Sequence, residues 1–177
     1  MSEVNAGGEN TKQRHADAWR KSLASLPLAT YGGGEMVLQQ GTETGRLLIL
    51  KKGVVAVVKG GVEIAKVAEP GAVFGELSAL LDEPHGADVR ALERSEFYVA
   101  DARALMQEPA ALHYVATLLA RRLDLANRGL VELKSELAAG ASPSLIGATL
   151  DKIEALLSAI GSGYIRAGAG MSGYPFQ

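Results

Sequence analysis

The stretch from Tyr31 to Ala100 limits the possible folds more than any other part of this chain. Short β-favouring runs follow one another closely, at residues 37–38, 47–50, 54–58, 63–67, 72–73, 89–92 and 97–99. Turn residues stand between them: Gly32-Gly33-Gly34, Gly41, Gly45, Gly53, Gly60-Gly61, Pro70-Gly71, Pro84 and Gly86. Lys59-Gly60-Gly61 between two runs reads as a hairpin, because glycine supplies the positive φ of a tight turn. Many short strands at close spacing predict a jelly roll or small barrel, not a parallel sheet.

Helical patterns flank this region. Residues 1–10 are small and polar and read as a disordered lead. In residues 11–26, His15, Trp19, Leu23 and Leu26 recur at helical spacing until Pro27 ends the run, with Trp19 as a core anchor. After Asp101 the period is helical again, and Pro109 suits the first turn of a helix. Leu112, Ala116, Leu119, Leu123, Ala126, Leu130, Leu133 and Leu137 are spaced 4, 3, 4, 3, 4, 3, 4. Such a stripe either packs on the protein's own barrel or pairs with a second copy, and its strict 3.5 period favours the second. Gly129 within it marks a bend or a close crossing.

Gly140-Ala141-Ser142-Pro143 breaks that helix. Another follows, with Ile146, Leu150, Ile153, Leu157 and Ile160 at the same spacing. The Gly-rich tail holds a formal G-x-G-x-x-G at residues 168–173. No strand precedes it and no helix follows, so it fails as a dinucleotide site. The expected organisation is a lead (1–10), a domain with its long helix (11–137), and an extra helix with a tail (138–177). The expected class is α+β: a jelly-roll barrel with an N-terminal helix and long C-terminal helices.

Composition narrows the function. A net charge of −2 argues against a general nucleic-acid binder. The chain has no cysteine, which excludes disulfides, Cys-ligated metals and a thiol nucleophile. His15, His85 and His113 lack metal-ligand spacing, and Asp82-Glu83 reads as a solvated turn. No Walker A or G-x-S-x-G motif occurs. The expectation is therefore a non-enzymatic protein with no metal and no cofactor. No apolar run reaches membrane-spanning length and the N-terminus lacks an apolar signal core, so the cytoplasm is the expected location.

The chemistry concentrates in "VFGELSALLDEPHGADVRA", residues 73–91. Gly75 allows close backbone approach. Glu76 is a carboxylate suited to a hydroxyl, and a short helix beginning there has free amides. Gly86 and Ala87 are small enough for a ligand to sit close. Alternatively Glu76 caps the helix and the glycines only make turns.

In order along residues 31–137, "GEMVLQQG" (34–41), "GRLLILKKGVVAVV" (45–58), "EPGAVFGELSALLDEPHGADVRA" (69–91) and "ARRLDLANRGL" (120–130) resemble the cyclic-nucleotide-binding domain. This is the ligand module of catabolite-activator-type regulators, protein kinase A regulatory subunits and nucleotide-gated channels. The resemblance implies a ligand, cyclic AMP or cyclic GMP, in a phosphate-binding cassette of Phe74, Gly75, Glu76, Leu77, Ser78, His85, Gly86, Ala87 and Asp88. In it Gly75 offers its amide and Glu76 takes the ribose 2′-hydroxyl. It also implies a dimer helix carrying Leu112, Leu119, Leu123, Ala126, Leu130, Leu133 and Leu137, with Asn127 at a base-contacting position.

One departure is conspicuous. The family's phosphate-binding arginine falls on His85, and Asp88 adds a negative charge close to the phosphate position, which either repels the phosphate or pairs with His85 or with Arg90. The residues after Leu137 supply one helix and no basic recognition helix, so direct DNA binding is not expected. The expected function is a stand-alone regulatory module, a homodimer signalling through its dimer or an unknown protein partner. Two alternatives follow from His85: a degenerate domain that serves as an interaction scaffold, or a sensor of a different nucleotide-like ligand.

Overall fold

The computed structural model describes residue 14 and residues 17–158. The lead, His15, Ile160 and the 168–173 motif lie outside the described residues. So does the side chain of Leu157.

Eight strands among the described residues form two four-stranded antiparallel sheets. One runs β1 (Leu28–Tyr31), β8 (Ser95–Asp101), β3 (Arg46–Lys52), β6 (Val73–Phe74). The other runs β2 (Met36–Leu38), β7 (Asp88–Ala91), β4 (Val55–Lys59), β5 (Val62–Val67). Helices α1 (17–24), α2 (Glu76–Leu81), α3 (Ala102–Met106), α4 (Pro109–Ala138) and α5 (Pro143–Ser158) complete the described residues. The α+β jelly roll with flanking helices is the fold this chain forms. β1 was not legible beforehand: LATY is four residues immediately after Pro27, and its place depends on pairing with β8.

The apolar run in β3 explains how the layers stack. Leu48 and Leu50 face the other sheet and join Val37, Val55, Phe74, Val89 and Phe97 between the sheets. Leu47 and Ile49 face the opposite way and join Trp19, Leu105, Tyr114, Val115 and Leu118 beneath the helices. A strand covered on both sides reads as continuous rather than alternating hydrophobicity. The β4–β5 hairpin turns at Gly60 and Gly61, both with positive φ, as the sequence predicts.

The first turns of α4 are pinned to the barrel. Trp19 and Tyr114 stack with ring centroids 4.8 Å apart, and the Tyr114 hydroxyl donates to the Gly71 carbonyl at 2.7 Å. Beyond Leu118, α5 is the main partner of α4, and it also touches β5. A Cβ on Gly129 would lie 2.5 Å from Ile153 Cδ1, so Gly129 marks a close crossing. Thr149 donates to Glu136 Oε1 at 2.6 Å, and Lys152 to Glu132 Oε1 at 2.8 Å.

Apart from Leu119, which packs against the core beneath the helices, the 112–137 stripe is not part of either core cluster. Leu112, Ala116, Leu123, Ala126, Leu130 and Leu137 are exposed, while Leu119 and Leu133 are half-buried. The barrel is instead met by the neighbouring face of α4, which carries Ala111, Tyr114, Val115 and Leu118.

Candidate functional site

The site begins where β6 must leave its sheet. Gly75 has φ 90°, and a Cβ there would lie 2.6 Å from the Arg46 carbonyl, so only glycine allows this turn. The turn sends Glu76 inward as the first residue of α2, and its side chain is buried. Asp82, in the left-handed region at φ 56°, ends α2 with its N–H on the Ser78 carbonyl. Ser78 Oγ donates to the Glu83 carbonyl at 2.5 Å. The chain then returns through His85, whose N–H donates to Thr42 O at 2.9 Å and whose carbonyl accepts from the Gly41 N–H at 2.8 Å. The 39–45 loop therefore fixes where His85 stands.

These segments bound a cavity of about 300 Å³, at the lower end of the range for small-ligand pockets. Phe74, Gly75, Glu76, Leu77, Ser78, His85, Gly86 and Ala87 line one wall. Leu38, Val57, Lys59, Ile64, Ala65, Val67, Val73 and Val89 line the barrel side, and Arg122 of α4 closes it. A larger depression of about 550 Å³ lies behind Gly75–Ser78, but no polar side chain lining it is buried.

Two expected site residues are placed elsewhere. Asp88 is outside the cavity lining, and its Oδ1 accepts the Gln40 N–H at 2.6 Å, a partner neither expected pairing named. Asn127 lies exposed on α4, also outside the lining. Arg122 was missed. Its signal was in the sequence: Ala111, Val115, Leu118, Arg122, Leu125 and Gly129 form a second stripe, spaced 4, 3, 4, 3, 4. Arg122 is the one charged member of that inward stripe.

Arg122 Nη1 donates to Glu76 Oε1 at 2.6 Å. Burial pushes the Glu76 carboxyl above its usual range, opposed by the Arg122 charge and by hydrogen bonds from its own backbone N–H and from Arg122. The two therefore form a desolvated ion pair joining cassette to helix. His85 is also buried, with Nε2 2.9 Å from Thr44 Oγ1. Burial holds its imidazole below the usual histidine range, and Glu43 draws it partly back up. The imidazole is thus neutral near pH 7.

The family model for the cyclic nucleotide-binding domain matches residues 28–109, from β1 through the cassette to the start of α4. Over residues 28–109 the chain is similar to that family. Domains of this family are regulatory rather than catalytic and take a small-molecule ligand. Among solved structures, the Thermus thermophilus catabolite activator protein is 25% identical with a TM-score of 0.56, over 80% of this chain and 83% of that one. PfPKA-R (141–441), solved with cAMP bound, is 20% identical with a TM-score of 0.52, over 77% of this chain. This chain spans about half of that fragment, 48%. A PKAR CBD2 structure with Sp-2Cl-cAMPS bound is 20% identical with a TM-score of 0.52, over 76% and 91%. No curated protein sequence matches the chain. Among the described residues, no group of three or more metal-ligating side chains occurs, and no helix is long and apolar enough to cross a membrane.

Proposed function

We propose that this domain binds a cyclic mononucleotide, cyclic AMP or cyclic GMP, in the 300 Å³ cavity and acts as a non-enzymatic regulatory module. The observation that carries the reading is the Glu76–Arg122 pair. Glu76 accepts the ribose hydroxyl, and Arg122 brings a half-buried guanidinium to the same wall from α4. A ligand that engages Glu76 redistributes the charge holding Arg122, so occupancy is felt by the long helix. The exposed stripe of α4 then carries the signal, as the seam of a homodimer in the cytoplasm or as the surface a protein partner reads. A leucine stripe of 3.5-residue period, exposed at six of its eight positions, supports a second copy as the first choice.

A second reading is favoured by one observation, that the cassette side of the cavity carries the buried His85 and no arginine. Without a fixed positive charge at the cassette, the domain holds an uncharged nucleoside-like ligand, or no ligand, and serves as a scaffold. Calorimetric titration with cyclic AMP and cyclic GMP separates the two. Saturable wild-type binding at micromolar concentration, lost in Glu76→Ala, upholds the nucleotide reading. No wild-type binding, with binding gained in His85→Arg, upholds the second.

A further inference from the structure

The charges around the cavity leave an anion poorly provided for. Glu76 and Arg122 largely cancel each other. Lys59 also lines the cavity but is exposed at the end of β4. His85 is the remaining nitrogen base in the wall, and its surroundings accommodate it in either protonation state. Thr44 Oγ1 lies 2.9 Å from Nε2 and accepts the Arg46 N–H at 3.3 Å. A hydroxyl has one proton and two lone pairs. Thr44 therefore donates to a neutral Nε2 and, after rotating its proton, accepts from a protonated one. Charging the ring costs no hydrogen bond.

We propose, on the reading that an anionic cyclic nucleotide enters this cavity, that His85 determines its charge specificity by holding the phosphate together with one proton taken up from solvent. In the empty cavity the ring stays neutral. A phosphate beside it stabilises the imidazolium, so the affinity of the site depends on pH in a way an arginine site does not.

The other charged groups do not mimic this. Glu43, beside Thr44, favours the charged ring and is already part of the free protein. Arg46 begins β3, Asp82 and Glu83 precede His85, and all three lie outside the cavity lining. Asp88 is engaged by the Gln40 N–H. Glu76 titrates in the opposite sense: its protonation on acidification removes an acceptor for the ribose and weakens binding. A phosphodiester remains anionic over the whole range, so a gain on acidification belongs to His85.

Calorimetric titration of the full chain with cyclic AMP, from about pH 8 to about pH 6 in two buffers of different ionisation enthalpy, tests this. The affinity is expected to rise about three- to tenfold per unit of acidification, with up to about one proton taken up. His85→Gln is expected to abolish both. His85→Arg is expected to bind about ten- to a hundredfold tighter at the alkaline end with no pH dependence. Wild-type binding without proton uptake, or uptake that survives in His85→Gln, overturns the inference and leaves the nucleotide reading standing. Binding by His85→Arg alone, at every pH, also overturns it. No binding by any of the three overturns both. An NMR titration of the His85 ring in the wild type covers a variant that fails to fold. Its midpoint is expected to rise with cyclic AMP present, and an unmoved midpoint in ligand-saturated protein overturns the proposal.

Discussion

Two faces of α4 carry nearly the same sequence pattern and do opposite things. Ala111, Val115, Leu118, Arg122, Leu125 and Gly129 repeat at 4 and 3, and so do Leu112, Ala116, Leu119, Leu123, Ala126, Leu130, Leu133 and Leu137. The first set meets the barrel, the cavity and α5. The second is largely bare, with Leu123 63% and Leu130 51% exposed. Periodicity tells where an apolar stripe runs and not what covers it. The informative residue is the one that breaks its stripe. A charge at Arg122, among core positions, stands where the helix faces a polar site rather than the apolar core.

The sharpest way to break the comparison is at that residue. Arg122→Met keeps the length of the side chain and removes its charge, leaving the Glu76 carboxylate buried without its partner. The expected loss is about 3–5 kcal/mol of unfolding free energy at about pH 8, measured by urea denaturation. The pH dependence has a definite sign. The folded-state pKa of Glu76 is raised, so the stability linked to its protonation is fully present below its ordinary value near 4.5 and is lost as pH rises through the folded value. Without Arg122 the pKa rises further. The gap between variant and wild type therefore narrows toward about pH 5 and widens above it. A constant gap would mean that Arg122 contributes packing and not charge.

The next effect is on packing. Leu118→Ala on the inward stripe is expected to cost about 2–4 kcal/mol, because it opens a cavity beneath α4. Leu123→Ala on the outward stripe is expected to cost well under 1 kcal/mol in the isolated protomer. Equal costs would erase the distinction between the two faces.

Most of the fold was legible because it rests on local signals. Glycines at turns, the short runs between them and the helical period after Asp101 all act within a few residues. What was not legible depends on contacts distant in sequence. β1 exists because β8 pairs with it. Asp88 finds the Gln40 amide across 48 residues, and no pattern near Asp88 announces that partner. In the site, Gly75 and Glu76 were readable because the turn itself demands a glycine, whereas the meeting of Arg122 with Glu76 is set by how α4 lies on the barrel. The crossing of α4 and α5 was half legible: Gly129 looked anomalous, but only the fold supplies Ile153 as its reason. Gly129→Val is accordingly expected to loosen α5 by about 1–3 kcal/mol, read as faster amide exchange across residues 143–156 with the barrel unchanged. Exchange that accelerates in the barrel as well would tie α5 to the core more tightly than the geometry implies.

The smallest effect on stability is the one that decides what the outward face is for. Leu123→Lys with Leu130→Lys places two charges in a stripe already open to solvent. The expected change in protomer unfolding is about 0.5 kcal/mol or less. In a homodimer joined along α4, the same pair of lysines meets its own copy across the seam, where like charges and lost apolar burial act together. Analytical ultracentrifugation is then expected to show the wild type at twice the 18.5 kDa chain mass and the variant at the single-chain mass. A wild type already at the single-chain mass sinks the homodimer, and the bare stripe is then left to a different protein as the surface that reads Arg122. Dimerisation that survives both lysines would move the seam elsewhere, and the two faces of α4 would differ in exposure without differing in role.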